Sequence, residues 1–338
     1  MRKSLCRVLL AFCSLLLTLP QPAFAWGNTG HEAVAWVAWQ QLTPATKTRV
    51  LALLKLVPAI NSEIPGYAEW LDQLPTGIDP DTRDLYLFMR AATWADSIKH
   101  HGLHDSDTPP PGITAEVNIG FSDPDSHGYW HFIDTAFASD SEQVPTTPAP
   151  NASTQIAALR KDIASSEGDV LKAYDMIWLE HLVGDIHQPL HAVERYNGDS
   201  GDAGGNLVRI KVPLPIEETF KCPDEKLRTI TELHAFWDEL PGTCPADTGL
   251  KAAADFASSL PKQRDPATTQ HPASWAAESF QLAKSDAYAD PIGPGTHNSD
   301  GAAYLITQTY YDKTMQDAKD RIALAGTRLA KLLNDNLK

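Results

Sequence analysis

The chain has 338 residues and carries 43 acidic residues against 28 basic ones, which gives a formal net charge of −15. A surface of this sign repels nucleic acid and anionic membranes at long range, which excludes binding through an extended basic face. Any recognition of phosphate groups must therefore depend on a local positive site.

Residues 1–25 have the pattern of a secretory signal peptide. Three basic residues precede an apolar run that ends at Leu17, and the small-residue motif Ala-Phe-Ala follows at 23–25. The run is too short to span a bilayer, so we predict no membrane anchor. Cleavage before Trp26 would change the charge from −15 to −18 by removing the three basic residues. We expect a single domain over 26–338, released to the periplasm or the medium.

Apolar residues at spacings of three and four predict helices along most of the remaining chain. The first covers residues 30–42, and Thr43 and Pro44 have the residue types of an N-cap and first position of the next helix. The last helix places Ile322 and Leu329 on one apolar face. The other predicted helices cover residues 84–99, 153–164, 168–188, 231–240, 272–286 and 302–334. We therefore predict an all-α fold.

One short segment alternates with a period of two instead. Val208, Ile210 and Val212 are separated by basic residues, which predicts a strand of a small β-ribbon. The segments 101–128 and 196–206 are too polar and too broken for a core, and we interpret them as loops that border a site.

Two of the four cysteines, Cys6 and Cys13, lie in the predicted leader. Outside the cytosol, Cys222 and Cys244 can form a disulfide that closes a loop of about 23 residues. Two free thiols are the alternative. No CxxC spacing occurs, so the cysteines do not indicate a zinc site.

Four separated stretches combine histidine and aspartate with apolar residues. They are ATWADSIKH at 92–100, YWHFID at 129–134, WLEHLVGDIHQPLH at 178–191 and LHAFWD at 233–238. His181 and Asp185 stand four apart on a predicted helix, so both project from one face and can bind one ion. His234 and Asp238 have the same spacing. A surface hydrogen bond is the alternative for one such pair, but an ionised Asp185 beside an apolar stripe requires a compensating cation.

Imidazole and carboxylate ligands without thiolate favour zinc, with manganese or iron as alternatives. Pro189 ends the helix and can direct His191 toward a second ion, whereas His187 is interpreted as a solvent-exposed or supporting residue. There are more candidate ligands than one tetrahedral ion can use, which predicts a cluster. They are His31, Asp96, His131, His181, Asp185, His191, His234 and Asp238.

Trp26 gains a role if the leader is removed. A free N-terminal amine has a pKa of roughly 7.7 to 8, and the amine and carbonyl of one residue form a five-membered chelate on zinc. His31 lies about one helical turn further along and can join it. The alternative is that Trp26 is only the first residue after cleavage.

The motifs GHEAVA, WAD, WHFID, HLVGDIHQPLH, GGN and LHAFWD follow an N-terminal Trp in a family-specific order. In this the chain resembles the zinc-dependent, single-strand-specific type I nucleases, the S-one/P-one family of the phospholipase C/P-one nuclease superfamily, from Trp26 to the last helix. The resemblance implies a mainly helical fold with three zinc ions in a cleft. It also implies cleavage of RNA and single-stranded DNA to 5′-mononucleotides and removal of 3′-phosphates from nucleotides. We expect the protein to be a monomer.

The resemblance further implies three ligand sets. The first zinc is expected to bind Asp96, His131 and His181, with Asp185 bridging to the second. The second zinc is expected to bind Trp26, through amine and carbonyl, and His31. The third, more exposed zinc is expected to bind His191, His234 and Asp238. Three Zn²⁺ ions carry more charge than these aspartates neutralise, so the cluster itself supplies the local positive site.

Three further roles come from the same resemblance. Asp134 is expected to orient the attacking water and Lys99 to contact the phosphate, with an ordinary surface lysine as the alternative. Asn206 is expected near the cleft, with a structural loop role as the alternative. Glu239 stands where base-binding members often have Asn, so no base-pocket residue is transferred. The family's usual pair of disulfides is reduced to one at most.

The interval between Asp96 and His131 is longer than usual, so loop 101–128 is expected to reshape the cleft. A zinc-dependent phospholipase C is the nearest alternative, but those enzymes typically have Glu in place of Asp238 and a wider gap between Trp and the first His. An exported zinc carrier without catalysis is the alternative of another class, although such proteins often contain a His-rich run.

Overall fold

The structure is a computed structural model. It describes residues 26–99, 119–122, 125–138, 144–198, 200–222, 229–263, 271–293 and 301–337. The predicted leader and most of the predicted loop 101–128 lie outside these residues. Within them the chain forms twelve α-helices and two small sheets, which confirms the prediction of a mainly helical fold.

The helix starts follow local capping chemistry. The Thr43 hydroxyl accepts a hydrogen bond from the Thr46 amide at 3.1 Å, as an N-cap should, and Thr307 does the same for the last helix. The helices are α1 (Asn28–Gln41), α2 (Pro44–Leu54), α3 (Tyr67–Gln73), α4 (Pro80–Ala91), α5 (Trp94–Ile98), α6 (Ala152–Ile163), α7 (Asp169–Asp185), α8 (Leu214–Glu217), α9 (Leu233–Asp238), α10 (Ala246–Ser258), α11 (Pro272–Leu282) and α12 (Gln308–Asn336).

The prediction of one continuous helix over 84–99 is wrong. The chain turns between α4 and α5, where the Thr93 hydroxyl donates to the Arg90 carbonyl at 3.0 Å. Such side-chain bonds to the backbone compete with helix propagation. The turn also leaves the Ala92 carbonyl available to His181, so the break serves the site described below.

The strand predicted at 208–212 covers only two residues. It pairs with a distant segment in parallel and does not form a ribbon with an adjacent strand. Strand β4 (Ile210–Lys211) pairs in parallel with β5 (Tyr304–Leu305), so the last helix begins after this strand and not at residue 302. A second sheet contains β1 (Ala136–Ala138), β2 (Glu194–Asn197) and β3 (Ser200–Gly201), with β2 in the centre. β1 is parallel to β2, and β3 is antiparallel to it.

Helices α1 and α7 lie in the core and pack against each other and against α12. At Gly326 of α12, an added Cβ would lie 2.5 Å from the Val37 Cβ and 2.7 Å from the Val34 carbonyl oxygen. Only glycine therefore permits this approach of α12 to α1. None of the helices in the described part of the chain combines the length and apolar character needed to cross a membrane.

The predicted disulfide between Cys222 and Cys244 is present, with Cα atoms 4.9 Å apart. Both cysteines are buried. The loop that the disulfide closes contains α9, which carries two of the predicted metal ligands.

Candidate metal centre

All eight predicted ligand side chains are buried, and they meet in three groups. In each group the candidate ligand atoms lie within 4.8 Å of one another. His181 belongs to two groups, so these two are contiguous. The groups are His31, His181 and Asp185; Asp96, His131 and His181; and His191, His234 and Asp238.

His181 is oriented by the break between α4 and α5. Its Nδ1 donates to the Ala92 carbonyl at 2.8 Å, which leaves the Nε2 lone pair directed at the centre. That Nε2 atom lies 3.4 Å from the Asp96 Oδ1 atom and 3.0 Å from the His131 Nδ1 atom. An imidazole anchored through its outer nitrogen is the usual arrangement of a metal ligand.

Asp185 stands between two histidines from different parts of the chain. Its Oδ1 atom lies 3.3 Å from His31 Nε2, and its Oδ2 atom lies 3.0 Å from His131 Nδ1. The His31 ring stacks on the His181 ring at 3.8 Å. Gly184 makes room for this, because a Cβ there would lie 2.8 Å from His31 Nδ1. The two oxygens of Asp185 thus face two different histidines.

The third group joins helix α9 to the turn after α7. His234 and Asp238 lie one helical turn apart, with Nε2 and Oδ2 separated by 3.6 Å. His191 comes from a 3-10 turn at Pro189–Ala192, and its Nδ1 donates to the His131 carbonyl at 2.7 Å. That bond links the third group to the first two.

The GGN motif supports His234. The His234 Nδ1 atom donates to the Gly204 carbonyl at 2.7 Å. Gly204 has a φ of +58°, and a Cβ there would lie 2.6 Å from the Leu190 carbonyl oxygen. The side-chain amide of Asn206 donates to the Ala203 carbonyl at 2.7 Å within the same loop, which supports the structural role for this residue.

Trp26 is buried beside α9. The amide of Gly27 donates to the Asp238 carbonyl at 2.9 Å, so the segment that follows Trp26 is tied to the third group. Gly30 permits the packing, because a Cβ there would lie 2.5 Å from the Trp26 Cβ.

The predicted substrate-contacting residues border the centre. Lys99 is buried, with its Nζ 3.0 Å from the Asp96 Oδ1 atom, so the surface-lysine alternative is wrong. Asp134 is half-buried, and the neighbouring Ile133 amide donates to the His191 carbonyl at 2.6 Å. This bond fixes the segment that carries Asp134 against the turn of the third group.

His187 is fully buried, so its interpretation as solvent-exposed is wrong and the supporting role remains. Its Nδ1 donates to the Val183 carbonyl at 2.7 Å, and its Nε2 accepts from Arg328 at 2.9 Å. Arg321 of α12 donates to the His187 carbonyl at 3.2 Å. Helix α12 therefore holds the end of α7 next to Asp185.

Burial shifts the pKa values of three of the side chains in the centre. It lowers the pKa of His234 to about 4 and raises the pKa of Asp185 to about 8. Burial together with nearby His181 also lowers the pKa of His31. Neutral imidazole is the form that binds metal, and a divalent cation would reverse the shift of the buried carboxyl.

Several buried ligand atoms have no hydrogen-bond partner among the described residues. Nε2 of His31, His191 and His234 and Oδ1 of Asp185 are such atoms. Buried polar atoms are almost always satisfied, and these four converge with other nitrogen and oxygen ligands of the type that zinc binds. The residues present therefore fit divalent metal ions.

The residues that orient the candidate ligands were not predicted from the sequence. Gln188 is one, since it contacts Asp238. Its place directly before Pro189 is the signal that could have identified it, because that is the N-cap position of a turn. Gly184 and the carbonyl of Ala92 carried no comparable signal.

A mainly helical fold around buried groups of histidine and aspartate defines a class of protein whose site could hold metal ions. A family profile described as S1/P1 Nuclease matches residues 26–338. The chain belongs to the S1/P1 nuclease family, as the resemblance of its motifs predicted.

Known nucleases are similar to this chain over almost its whole length. Nuclease S1 of Aspergillus oryzae is 25% identical, covering 96% of both proteins. Endonuclease 4 of Arabidopsis thaliana is 26% identical over 95% of this chain and 92% of the relative. Nuclease P1 of Penicillium citrinum is 24% identical over 92% and 97%. The chain is therefore a hydrolase that acts on nucleic acids, in preference to a phospholipase C or a zinc carrier.

Proposed function

We propose that the chain is an exported zinc-dependent endonuclease. It hydrolyses RNA and single-stranded DNA to 5′-mononucleotides and removes 3′-phosphates from nucleotides. The observation that carries the proposal is the set of three merging His/Asp groups in a chain with a strongly acidic surface. Zinc bound there supplies a Lewis acid for the phosphate and a water nucleophile at neutral pH.

Three zinc ions are proposed, with the ligands that the motifs assign. Asp185 would help to hold both of the first two, because its oxygens face His31 and His131 separately. Asp96, His131 and His181 would hold the first ion, Trp26 and His31 the second, and His191, His234 and Asp238 the third.

The Trp26 amine becomes available only when residues 1–25 are removed. A form that retains these residues is therefore expected to bind the second ion poorly and to be less active. The disulfide between Cys222 and Cys244 supports export, because such bonds persist in oxidising compartments. We propose that the released protein is a monomer.

Lys99 and Asp134 act on the substrate in this proposal. The Lys99 ammonium is held at the centre by Asp96 and offsets negative charge on the bound phosphate. The Asp134 carboxylate orients the attacking water and accepts its proton. Asn206 contributes through the loop that presents the Gly204 carbonyl to His234.

The decisive experiment uses protein that begins at Trp26. It is incubated with denatured DNA, duplex DNA, RNA, 3′-AMP and phosphatidylcholine, each with and without a chelator. We expect hydrolysis of denatured DNA, RNA and 3′-AMP, slower hydrolysis of duplex DNA because a base must leave its stack, and loss of all activity on chelation. Chelator-resistant cleavage, or metal analysis with fewer than three ions per active chain, would overturn the proposal.

A further inference from the structure

Gln188 is a fully buried amide that contacts two parts of the third group at once. Its Nε2 donates to the Asp238 Oδ1 atom at 2.7 Å. Its Oε1 accepts from the Leu190 amide at 2.5 Å, and its backbone carbonyl accepts from the His191 amide at 3.1 Å. The side-chain nitrogen and the side-chain oxygen of Gln188 thus each have a hydrogen-bond partner.

These bonds connect the two elements that must meet to form the third group. Asp238 lies on α9, and His191 lies in the 3-10 turn for which Gln188 is the N-cap. Residues 188 and 238 are far apart in sequence, so the position of one ligand relative to the other depends on contacts such as this amide bridge.

The bridge also distinguishes between the two oxygens of Asp238. Oδ1 is occupied by the Gln188 amide, whereas Oδ2 faces His234 Nε2 at 3.6 Å. A carboxylate that accepts a hydrogen bond on one oxygen is restrained to offer the other oxygen to an ion.

We infer that Gln188 is a positioning residue for the third metal ion. It fixes Asp238 so that only Oδ2 is offered to the ion, and it fixes the turn that carries His191. The inference rests on the proposed function, because it assumes that an ion occupies this group. Loss of an outer hydrogen-bond partner typically weakens metal binding about tenfold to hundredfold.

The test measures zinc content and zinc affinity by competition with a chelator, so it does not depend on activity. Gln188→Met keeps the size of the side chain and removes both hydrogen bonds. We expect two ions to remain tightly bound while the third is about tenfold to hundredfold weaker. Gln155→Met is the matched control, because Gln155 is equally buried on α6 and its Oε1 accepts from Thr154. It should keep three ions.

Two further variants assign the effect. His234→Ala should lose the third ion, and adding Gln188→Met to it should cause no further loss. Gln188→Asn keeps a side-chain acceptor suited to the N-cap position but is one methylene too short to reach Asp238, so it should weaken the same ion.

The outcomes separate this inference from the proposed function. Fewer than three ions in the wild-type protein would overturn the proposed function. Three ions in the wild type with wild-type affinity in Gln188→Met would overturn only the role of Gln188. Weakening in Gln188→Met with wild-type affinity in Gln188→Asn would reduce that role to capping and overturn the inference about Asp238.

Discussion

Asp185 lies at the end of α7, with one carboxylate oxygen next to His31 and the other next to His131. Those histidines come from distant parts of the chain, so one side chain joins two groups of ligands. Its burial makes ionisation unfavourable without a cation, as the raised pKa of about 8 indicates. The residue is therefore matched to a metal-bound state.

Asp185→Asn should remove bound zinc and activity together, because the amide keeps the shape but loses the charge. The loss of several kcal/mol of charge stabilisation corresponds to at least about a hundredfold in kcat/KM. Zinc per chain and kcat/KM on denatured DNA provide the measurement. Asp175→Asn is the control, since Asp175 is equally buried on α7 but lies outside the three groups. Full activity with three zinc ions in Asp185→Asn would contradict the bridging role.

The eight side chains proposed from sequence do meet in three groups, and spacings of four on a helix account for two of the pairs because they place both side chains on one face. The sequence does not predict that His181 serves two groups. The sharing depends on the stacking of the His31 ring from α1 on the His181 ring of α7. Gly184 of α7 permits this stacking because it has no side chain in the way. Gln188 is equally hidden, since its partner Asp238 is remote in sequence.

The long helix α12 supports helices α1 and α7, which carry His31 and Asp185. It approaches α1 closely at Gly326 and holds the end of α7 through Arg321 and Arg328. Helices with a strong apolar period, such as α6, match their predicted bounds within a residue. The break between α4 and α5 was not predictable, because the His181 contact that uses it is tertiary.

Gly326→Ala should destabilise the protein even though alanine is the better helix former. The new methyl group would overlap Val37 and the Val34 carbonyl of α1, and such overpacking costs about 1 to 3 kcal/mol. Urea unfolding of the purified variant measures the change. An increase in stability would show that the two helices separate easily, contrary to the close packing described.

Glu278 of α11 joins α12 by accepting hydrogen bonds from Arg321 and Arg328. Partial burial opposes its ionisation, but the two arginines outweigh this and lower the pKa of its carboxyl. A lowered carboxyl pKa stabilises the fold above the unfolded-state value of about 4.3, and this stabilisation is lost as the pH falls through the folded-state value.

Glu278→Gln should therefore reduce the free energy of unfolding at pH 7 by about 1 kcal/mol, the value for a charged hydrogen bond reduced for the partial exposure of this side chain. The difference from wild type should shrink at a pH well below the ordinary glutamate value of about 4.3, as Glu278 itself becomes protonated. Urea unfolding at both pH values tests this. Glu218→Gln, which removes an exposed carboxylate, should show little change at either pH. An equal deficit at both pH values would exclude the ionic contribution.

The disulfide encloses the part of the chain that contributes to the third group of the centre. The loop closed by Cys222 and Cys244 contains α9 and so two ligands of the third group. Composition and motif order predicted the fold class and family correctly. The short parallel pairing of β4 with β5 was not predictable, because two-residue strands carry almost no periodic signal.

Replacing both Cys222 and Cys244 by serine should lower the free energy of unfolding by about 3 kcal/mol, since a loop of this length is no longer restrained in the unfolded chain. Urea unfolding of this variant, next to wild type with and without reductant, provides the measurement. Reduced wild type should resemble the serine variant. Identical midpoints for oxidised and reduced wild type would show that the bond contributes nothing to stability.

The order of the helices along the chain has a consequence for biosynthesis. Helix α12 is made after α1 and α7, and until it has emerged these helices lack the packing at Gly326 and the hydrogen bonds from Arg321 and Arg328. The centre therefore lacks part of its support while α12 is still being translated. We expect nascent chains that end before α12 to be less active than the released protein.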